Sequence, residues 1–279
     1  DSVLEAVASH DMYSFLDGFS GYNQVRMHQE DQEKTTFVTE WEVFVSVVMM
    51  FRVKTTPATF QCTITEIFGP FIPVFMHAFL DDFAVYGKRG DRLSHLRRCL
   101  ERCRTSRLSV NLAKCAFGLT RGTLLRHIVS KDGIAMDPNK IKAIIEAKTP
   151  SNAKALSLFL GQIRWHNRML RYLADFATSL HVVVHCTPFK WTAMEDKVYE
   201  ALKVMLTQAL VVQPPDWSKP FHVFVDASDI AIGSALMQLT KPSWYRPVYY
   251  SSRKLSDAER NYSTTECDAL GMIYNVNTF

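Results

Sequence analysis

Between positions 91 and 108 the chain reads DRLSHLRRCLERCRTSRL, in which Leu93, Leu96, Leu100 and Cys103 recur at intervals of three and four. That spacing gathers the apolar residues on one stripe and predicts an amphipathic helix with an arginine-rich outer face. Asp137 and Pro138 supply an N-cap and a first-turn proline for a helix bearing Ile141, Ile144 and Ile145. Ser151 is placed to cap a third helix carrying Leu156, Phe159, Leu160 and Ile163. Thr192 and Glu195 form a capping box ahead of Val198, Leu202, Met205, Leu206 and Ala209. Strands are expected elsewhere. VFMHAFL and FAVYG, on either side of Asp81 and Asp82, are short apolar runs and read as two adjacent, buried strands. FHVFVDAS at 221–228 sets Phe221, Val223 and Val225 against His222, Phe224 and Asp226; Pro214, Pro215 and Pro220 precede it, so a domain boundary is expected near 210–220.

A length of 279 residues, with 47% hydrophobic and 22% charged residues, fits a folded chain of about two ordinary domains. The longest nearly apolar run, FGPFIPVFMHAFL at 68–80, is too short for a bilayer span and is broken by Gly69, Pro70 and Pro73, so no membrane partner is expected. Asp1 opens directly on a helical-looking segment with no leader, which points to a piece of a longer chain without a visible targeting signal. Six cysteines show no CxxC pair; Cys99 and Cys103 fall on the apolar stripe, a core placement, and the chain is expected to be reduced and intracellular, cytoplasmic or nuclear. Net charge is only +4, but the basic residues cluster between 88 and 131, where only Asp91 and Glu101 oppose them. Such a block suits a nucleic acid backbone, with affinity that falls as salt rises.

Asp81 and Asp82 allow two readings. Aspartates are good turn formers between strands. Carboxylates at strand ends also hold metal ions, and Asp17 in YSFLDGFSGYNQV likewise follows a strand-like run, far enough along the chain for both to return to one sheet edge. Three such carboxylates can bind two Mg²⁺ ions, which favour hard oxygen ligands; one ion activates a 3′-hydroxyl and the other steadies a leaving pyrophosphate.

FLDGFSGYNQVRM, KTTFVT, PATFQ at 57–61, FLDDFAVY, NLAKCAFG, HIVSKDGI and SLFLGQIRWHNR occur in one order along the chain. In these words it resembles the reverse transcriptases of gypsy-class LTR retrotransposons, relatives of the retroviral enzymes. FVDASDIAIGSALMQ and SSRKLSDAERNYSTTECDAL resemble the start of the family's RNase H domain. The resemblance implies an α+β fold: a reverse-transcriptase palm with partial fingers over 1–135, thumb and connection helices over 136–213, and an incomplete RNase H-like domain over 214–279. It implies that Asp17, Asp81 and Asp82 are the catalytic aspartates and bind Mg²⁺ or Mn²⁺, with Phe79 where the family usually has Tyr. Tyr22 matches the aromatic under the incoming sugar; Phe51, Arg52 and Gln61 belong to the segments around the nucleotide. Residues 124–130, LLRHIVS, match the hairpin that grips the primer end, so Arg126 and His127 join Arg97, Arg98, Arg102 and Lys114 as expected nucleic acid contacts. Asp226 and Glu266 match two of the four metal-binding RNase H carboxylates, and Glu266 also reads as the partner of Ser263 in a capping box. Because the other two would lie beyond Phe279, RNA cleavage by this chain is not expected. The implied partners are an RNA template, a DNA primer and deoxynucleotide triphosphates.

The chain departs from the family pattern at several points. MMFRV stands for Met-Pro-Phe-Gly-Leu, putting Arg52 where a glycine lets backbone approach the nucleotide. Arg126 replaces a glycine before His127, Thr55-Thr56 replaces Asn-Ala, and a basic fingers hairpin ahead of Asp1 is missing from the sequence. Glycine totals 11, where roughly 7% of residues is usual. These departures support an alternative: a catalytically decayed or domesticated copy that binds nucleic acid or a protein partner.

Overall fold

The computed structural model describes residues 2–51, 53–209 and 211–279. It divides into two compact units, Asp1–Leu125 with Val129–Lys131, and Arg126–Ile128 with Asp132–Phe279.

The first unit contains α1 (Ser2–Val7), β1 (Met12–Asp17), the short helix α2 (Gln29–Gln32), a ribbon of β2 (Phe37–Val38) and β3 (Val43–Phe44), α3 (Thr56–Phe68), β4 (Met76–Phe79), β5 (Asp82–Gly87), α4 (Arg92–Thr105), β6 (Ala116–Leu119) and β7 (Arg121–Leu124). Its sheet runs β4-β5-β1-β6. β1 and β5 are antiparallel, with Leu16 opposite Phe83 and Asp17 opposite Asp82. Side chains alternate across a strand, so adjacent residues serve opposite faces. Leu16, Phe83, Val85 and Met76 share one face with Phe60, Ile64 and Phe68 of α3 and Cys99 and Cys103 of α4, all in one buried cluster. The Cys99 Sγ lies 3.6 Å from the Met76 Sδ. Each large side chain buried there contributes about 1.5–3 kcal/mol. Cys99 and Cys103 are buried core residues, and burial pushes the Cys99 thiol up to about 12 and that of Cys103 to about 11. Asp17 and Asp82 occupy the face opposite α3 and α4.

The chain changes unit within β8 (His127–Ser130). It continues through β9 (Gly133–Met136), α5 (Pro138–Ile145), α6 (Ala153–Arg164), α7 (Leu173–Val184), α8 (Ala193–Thr207), β10 (Phe221–Ala227), β11 (Ala231–Lys241), β12 (Trp244–Lys254) and α9 (Thr264–Thr278). The expected caps at Asp137, Thr192 and Ser263 are present. The cap of α6 is not Ser151 but Asn152, whose extended backbone lets its Oδ1 accept from the Ala155 amide at 2.9 Å. Residues 136–213 and 214–279, expected as separate domains, share one unit. Ties between them include the Ala174 amide donating to Ser252 Oγ at 3.0 Å and Ser228 Oγ donating to Asp175 at 2.7 Å. No helix among the described residues is long and apolar enough to cross a membrane.

Thr192 Oγ1 accepts from the Met194 amide at 3.2 Å, while the Glu195 carboxylate accepts from the Thr192 amide at 2.8 Å. Thr192→Ala is therefore expected to cost the second unit about 1 kcal/mol. Urea unfolding should show a lower midpoint with an unchanged m-value.

Candidate active site

The β1–β5 register sets Asp17 and Asp82 directly across from one another at the sheet end. Asp81 comes beside them because β4 and β5 close through a two-residue turn, Leu80 and Asp81. Leu80 holds φ at 53°, a left-handed conformation that costs a leucine about 1–2 kcal/mol. Gln61 of α3 fixes this turn at both ends: its Nε2 donates to the Ala78 carbonyl at 3.2 Å, and the Leu80 amide donates to its Oε1 at 2.7 Å. Backbone bonds bring the rest together, with the Gly18 amide donating to the Asp81 carbonyl at 3.1 Å and the Asn111 amide to the Asp17 carbonyl at 2.8 Å. A second glutamine, Gln24, ties the loop after β1 to the segment before β6. Its Nε2 donates to Phe19 O and Ser109 O, and its Oε1 accepts from the Ser109 amide at 2.6 Å.

These elements enclose a cleft of about 390 Å³ lined by Asp17, Tyr22, Phe51, Asp81, Asn111 and Lys114, among others. Gly21 is required by its floor, since a Cβ there would run into the Asp81 Oδ1 and the Phe60 ring. The Lys114 ammonium stands 3.5 Å from Asp17. Burial first, then the charges of Asp17 and Asp82, raise the Asp81 carboxyl above its ordinary range; burial and Asp17 do the same to Asp82, and Lys114 partly offsets both. Asp81 Oδ1 is buried with no hydrogen-bond partner among the described residues. The three carboxylates repel one another, one has an unpartnered oxygen, and all are hard-oxygen donors of the kind a divalent cation takes. Among the described residues, no three His, Cys, Asp or Glu side chains already stand close enough together to hold one.

The other expected contacts divide. Tyr22 lies edge-on to Phe60 at 5.2 Å and Phe51 at 5.3 Å, and burial followed by the Asp81 charge raises its phenol. Arg52 lies outside the described residues. Gln61 is in place, but its amide is engaged by the turn that bears Asp81. Arg97, Arg98 and Arg102 are not on the carboxylate face: α4 packs through Cys99 and Cys103 into the cluster of Leu16, Phe83 and Val85, on the opposite side of the sheet. His127 is buried, 4% exposed, with its ring 5.5 Å from that of His166, so it is an interior residue and not a surface contact. Arg126, at φ 65°, stacks its guanidinium over Trp165 at 5.5 Å.

In the second unit, Asp226 and Glu266 are not brought to one site. A Cβ on Gly271 of α9 would meet Val225, whereas Gly233, the partner of Asp226 in β11, lies against the Tyr172 ring. Asp226 therefore faces away from the helix that bears Glu266. Its Oδ2 accepts from the Tyr172 hydroxyl at 3.1 Å, and the Arg171 guanidinium donates to that same hydroxyl at 2.6 Å. Glu266 is spent on capping: its Oε2 accepts from the Ser263 amide and hydroxyl, both at 2.8 Å, which lowers its pKa. Tyr172 had no signal in the sequence; Gln24 and Gln61 lie in the motifs FLDGFSGYNQVRM and PATFQ, but nothing in their spacing gives the clamping contacts they make.

The family model for reverse transcriptase (RNA-dependent DNA polymerase) matches residues 1–195, and that for the RNase H-like domain found in reverse transcriptase matches 191–279. Similar curated proteins include the transposon Tf2-3 polyprotein of Schizosaccharomyces pombe, 27% identical across 98% of this chain and 21% of its own length. The Pol polyprotein from transposon opus of Drosophila melanogaster is 30% identical across 99% of this chain and 29% of its own. The chain thus spans less than a third of these relatives. Among solved structures, the foamy viral protease-reverse transcriptase in complex with RNA/DNA hybrid shares the fold at a TM-score of 0.88 and 18% identity, covering 99% of this chain and 38% of that one. The foamy viral protease-reverse transcriptase dRH, in complex with double-stranded DNA, aligns at a TM-score of 0.90 and 18% identity over 99% of this chain and 49% of its own.

Two outcomes are expected of the cleft. A carboxyl whose folded pKa lies above its unfolded value leaves the folded chain holding more protons in the window between the two, so stability falls as pH rises through it. Asp81→Asn, measured in EDTA, should be more stable than the parent at pH 7, with the difference shrinking as pH approaches 4. Gln61→Leu should strand the Leu80 amide and Ala78 carbonyl and cost about 1–3 kcal/mol in denaturant unfolding.

Proposed function

Because the chain belongs to the reverse transcriptase family, we propose that its first unit holds the polymerase site of a retrotransposon reverse transcriptase, with Asp17, Asp81 and Asp82 as the catalytic carboxylates. The observation that carries this reading is the juxtaposition of these three residues at one sheet end, with an unpartnered Asp81 oxygen facing the cleft floor. The reaction is nucleotidyl transfer: the primer 3′-hydroxyl attacks the α-phosphate of a deoxynucleotide triphosphate, and pyrophosphate leaves. Mg²⁺ or Mn²⁺ held by the three aspartates would neutralise the phosphates and lower the pKa of the attacking hydroxyl. Lys114 balances the carboxylates in the metal-free chain and is placed to meet an incoming anion instead. Gln61 and Gln24 act as positioning residues, holding the Asp81 turn and the loop after Asp17 in register. Tyr22 and Phe51 give the cleft an aromatic wall.

An RNA template and a DNA primer are the proposed partners, in line with the nucleic acid complexes of the foamy viral enzyme. The place of action is then the cytoplasm or nucleus. RNA cleavage is not proposed, given the separation of Asp226 from Glu266. One observation favours a decayed copy as the second reading: Arg126 takes a positive φ of 65° at the position where the family keeps a glycine, and Leu125 before it takes 47°.

Primer extension on an RNA template with Mg²⁺ or Mn²⁺ tests the polymerase reading. Extension by the parent chain and its loss in Asp81→Asn are expected. A second readout needs no turnover: the divalent ion should raise the Tm of the parent and not of Asp81→Asn. Extension that survives in Asp81→Asn would refute the assignment. Nucleic acid binding without extension or metal stabilisation would favour the decayed copy.

A further inference from the structure

The arginines of α4 need an explanation of their own once the helix is seen on the far side of the sheet from Asp17 and Asp82. Arg92, Arg97, Arg98, Arg102 and Arg104 are drawn from fourteen consecutive residues, with Glu101 the one acid among them. None of the five is in an ion pair among the described residues. Arg102 and Arg104, in the last turn, complement the helix dipole. Arg97 and Arg98 do not, and Arg98 with Arg102 is a like-charge pair at i, i+4, which opposes helix formation.

Two of these side chains are held in place by the protein. The Arg98 guanidinium lies over the rings of Phe71 at 5.0 Å and Phe75 at 4.9 Å. Arg102 donates from Nε to the Ile67 carbonyl at 2.7 Å, leaving its terminal nitrogens without a protein partner among the described residues. A guanidinium fixed through its inner edge presents its outer fork to a phosphate at reduced entropic cost. At 1.5 Å rise per residue, Arg98 and Arg102 stand about 6 Å apart along the axis, and Arg97 and Arg104 about 10 Å. A duplex strand offers a phosphate charge every ~3.4 Å of its axis, so this row can face several phosphates in succession.

We infer that α4 forms a second nucleic acid surface on the back of the first unit, contacting the phosphate backbone without sequence preference and independently of the carboxylate cleft. Such a surface lets the chain hold one stretch of nucleic acid at the cleft and another behind the sheet. It does not rest on polymerase chemistry, and it stands whether or not the cleft turns over.

The test uses a blunt 20-base-pair RNA–DNA hybrid in EDTA, with binding followed by fluorescence anisotropy between 50 and 200 mM salt. Arg97→Gln/Arg104→Gln should weaken binding at least tenfold at 50 mM salt. It should also reduce the slope of log affinity against log salt by about 2, at about 0.9 per lost phosphate contact. Its cooperative thermal transition should persist, with no more than the small Tm loss of a helix-end charge, which separates lost binding from lost folding. Arg97→Lys/Arg104→Lys, which keeps the charge, should retain most of the slope. The loss should add to that of Lys114→Gln, because the two lie on opposite faces. Affinity and slope equal to the parent's would overturn the proposal. So would a loss that disappears in the Lys114→Gln background, or a variant whose only change is in self-association or in binding an acidic peptide.

Discussion

The antiparallel register of β1 and β5 is the constraint on which the first unit depends. It pairs Leu16 with Phe83 and Asp17 with Asp82, so each strand places an apolar residue and a carboxylate next to one another in sequence and on opposite faces in space. A slip of one residue would turn one strand over relative to the other, sending its carboxylate toward α3 and its apolar neighbour, Leu16 or Phe83, away from it. The core thus secures the cleft: the same apolar pairs that bury α3 and α4 forbid any other placement of the aspartates. Charge repulsion at the cleft is then tolerated because the register cannot relax to relieve it. Gln61 extends the same logic to Asp81, which no strand pairing holds, by binding the turn through both its amide atoms.

The second unit shows the opposite use of alternation. There β10 carries a single carboxylate, Asp226, and the face it occupies is filled by Tyr172 from the segment between α6 and α7. The glutamate that the family resemblance pairs with it sits on a helix lying against the other face and is engaged by Ser263. An acidic residue next to a strand end is therefore not enough to define a metal site; what matters is which face the neighbouring strand and helix assign to it.

Much of this was legible in the sequence. The amphipathic stripe at 93–103, the capping box at Thr192 and the two strands around Asp81 follow from periodicity and local chemistry, and the structure has them. The convergence of Asp17 with Asp81 and Asp82 came from ordered motifs, since spacing alone leaves three aspartates unrelated. What periodicity does not specify is the side of a sheet on which a helix packs. For that reason the sequence offers the arginines of α4 as nucleic acid contacts without saying that they stand behind the cleft, and His127 as such a contact although it is buried beside His166. The packing of residues 136–213 against 214–279, through contacts such as Ala174 with Ser252 and Tyr172 with Gly233, leaves no trace in composition or pattern. Asn152 displaced Ser151 as a cap by one position, within the ordinary uncertainty of helix ends.

Tyr172 rests at φ 56° with its ring edge where a side chain on Gly233 would have to go, at 2.6 Å from the nearest ring carbon. Neither residue is free to vary by itself. A larger residue at 233 is harmful while Tyr172 remains and harmless once it is gone. Replacing Tyr172 opens a void over β11 that only a change at 233 can fill. In a population of drifting copies the two positions should show epistasis: each tolerated substitution at one changes which substitutions at the other are permitted, although sixty residues of chain lie between them.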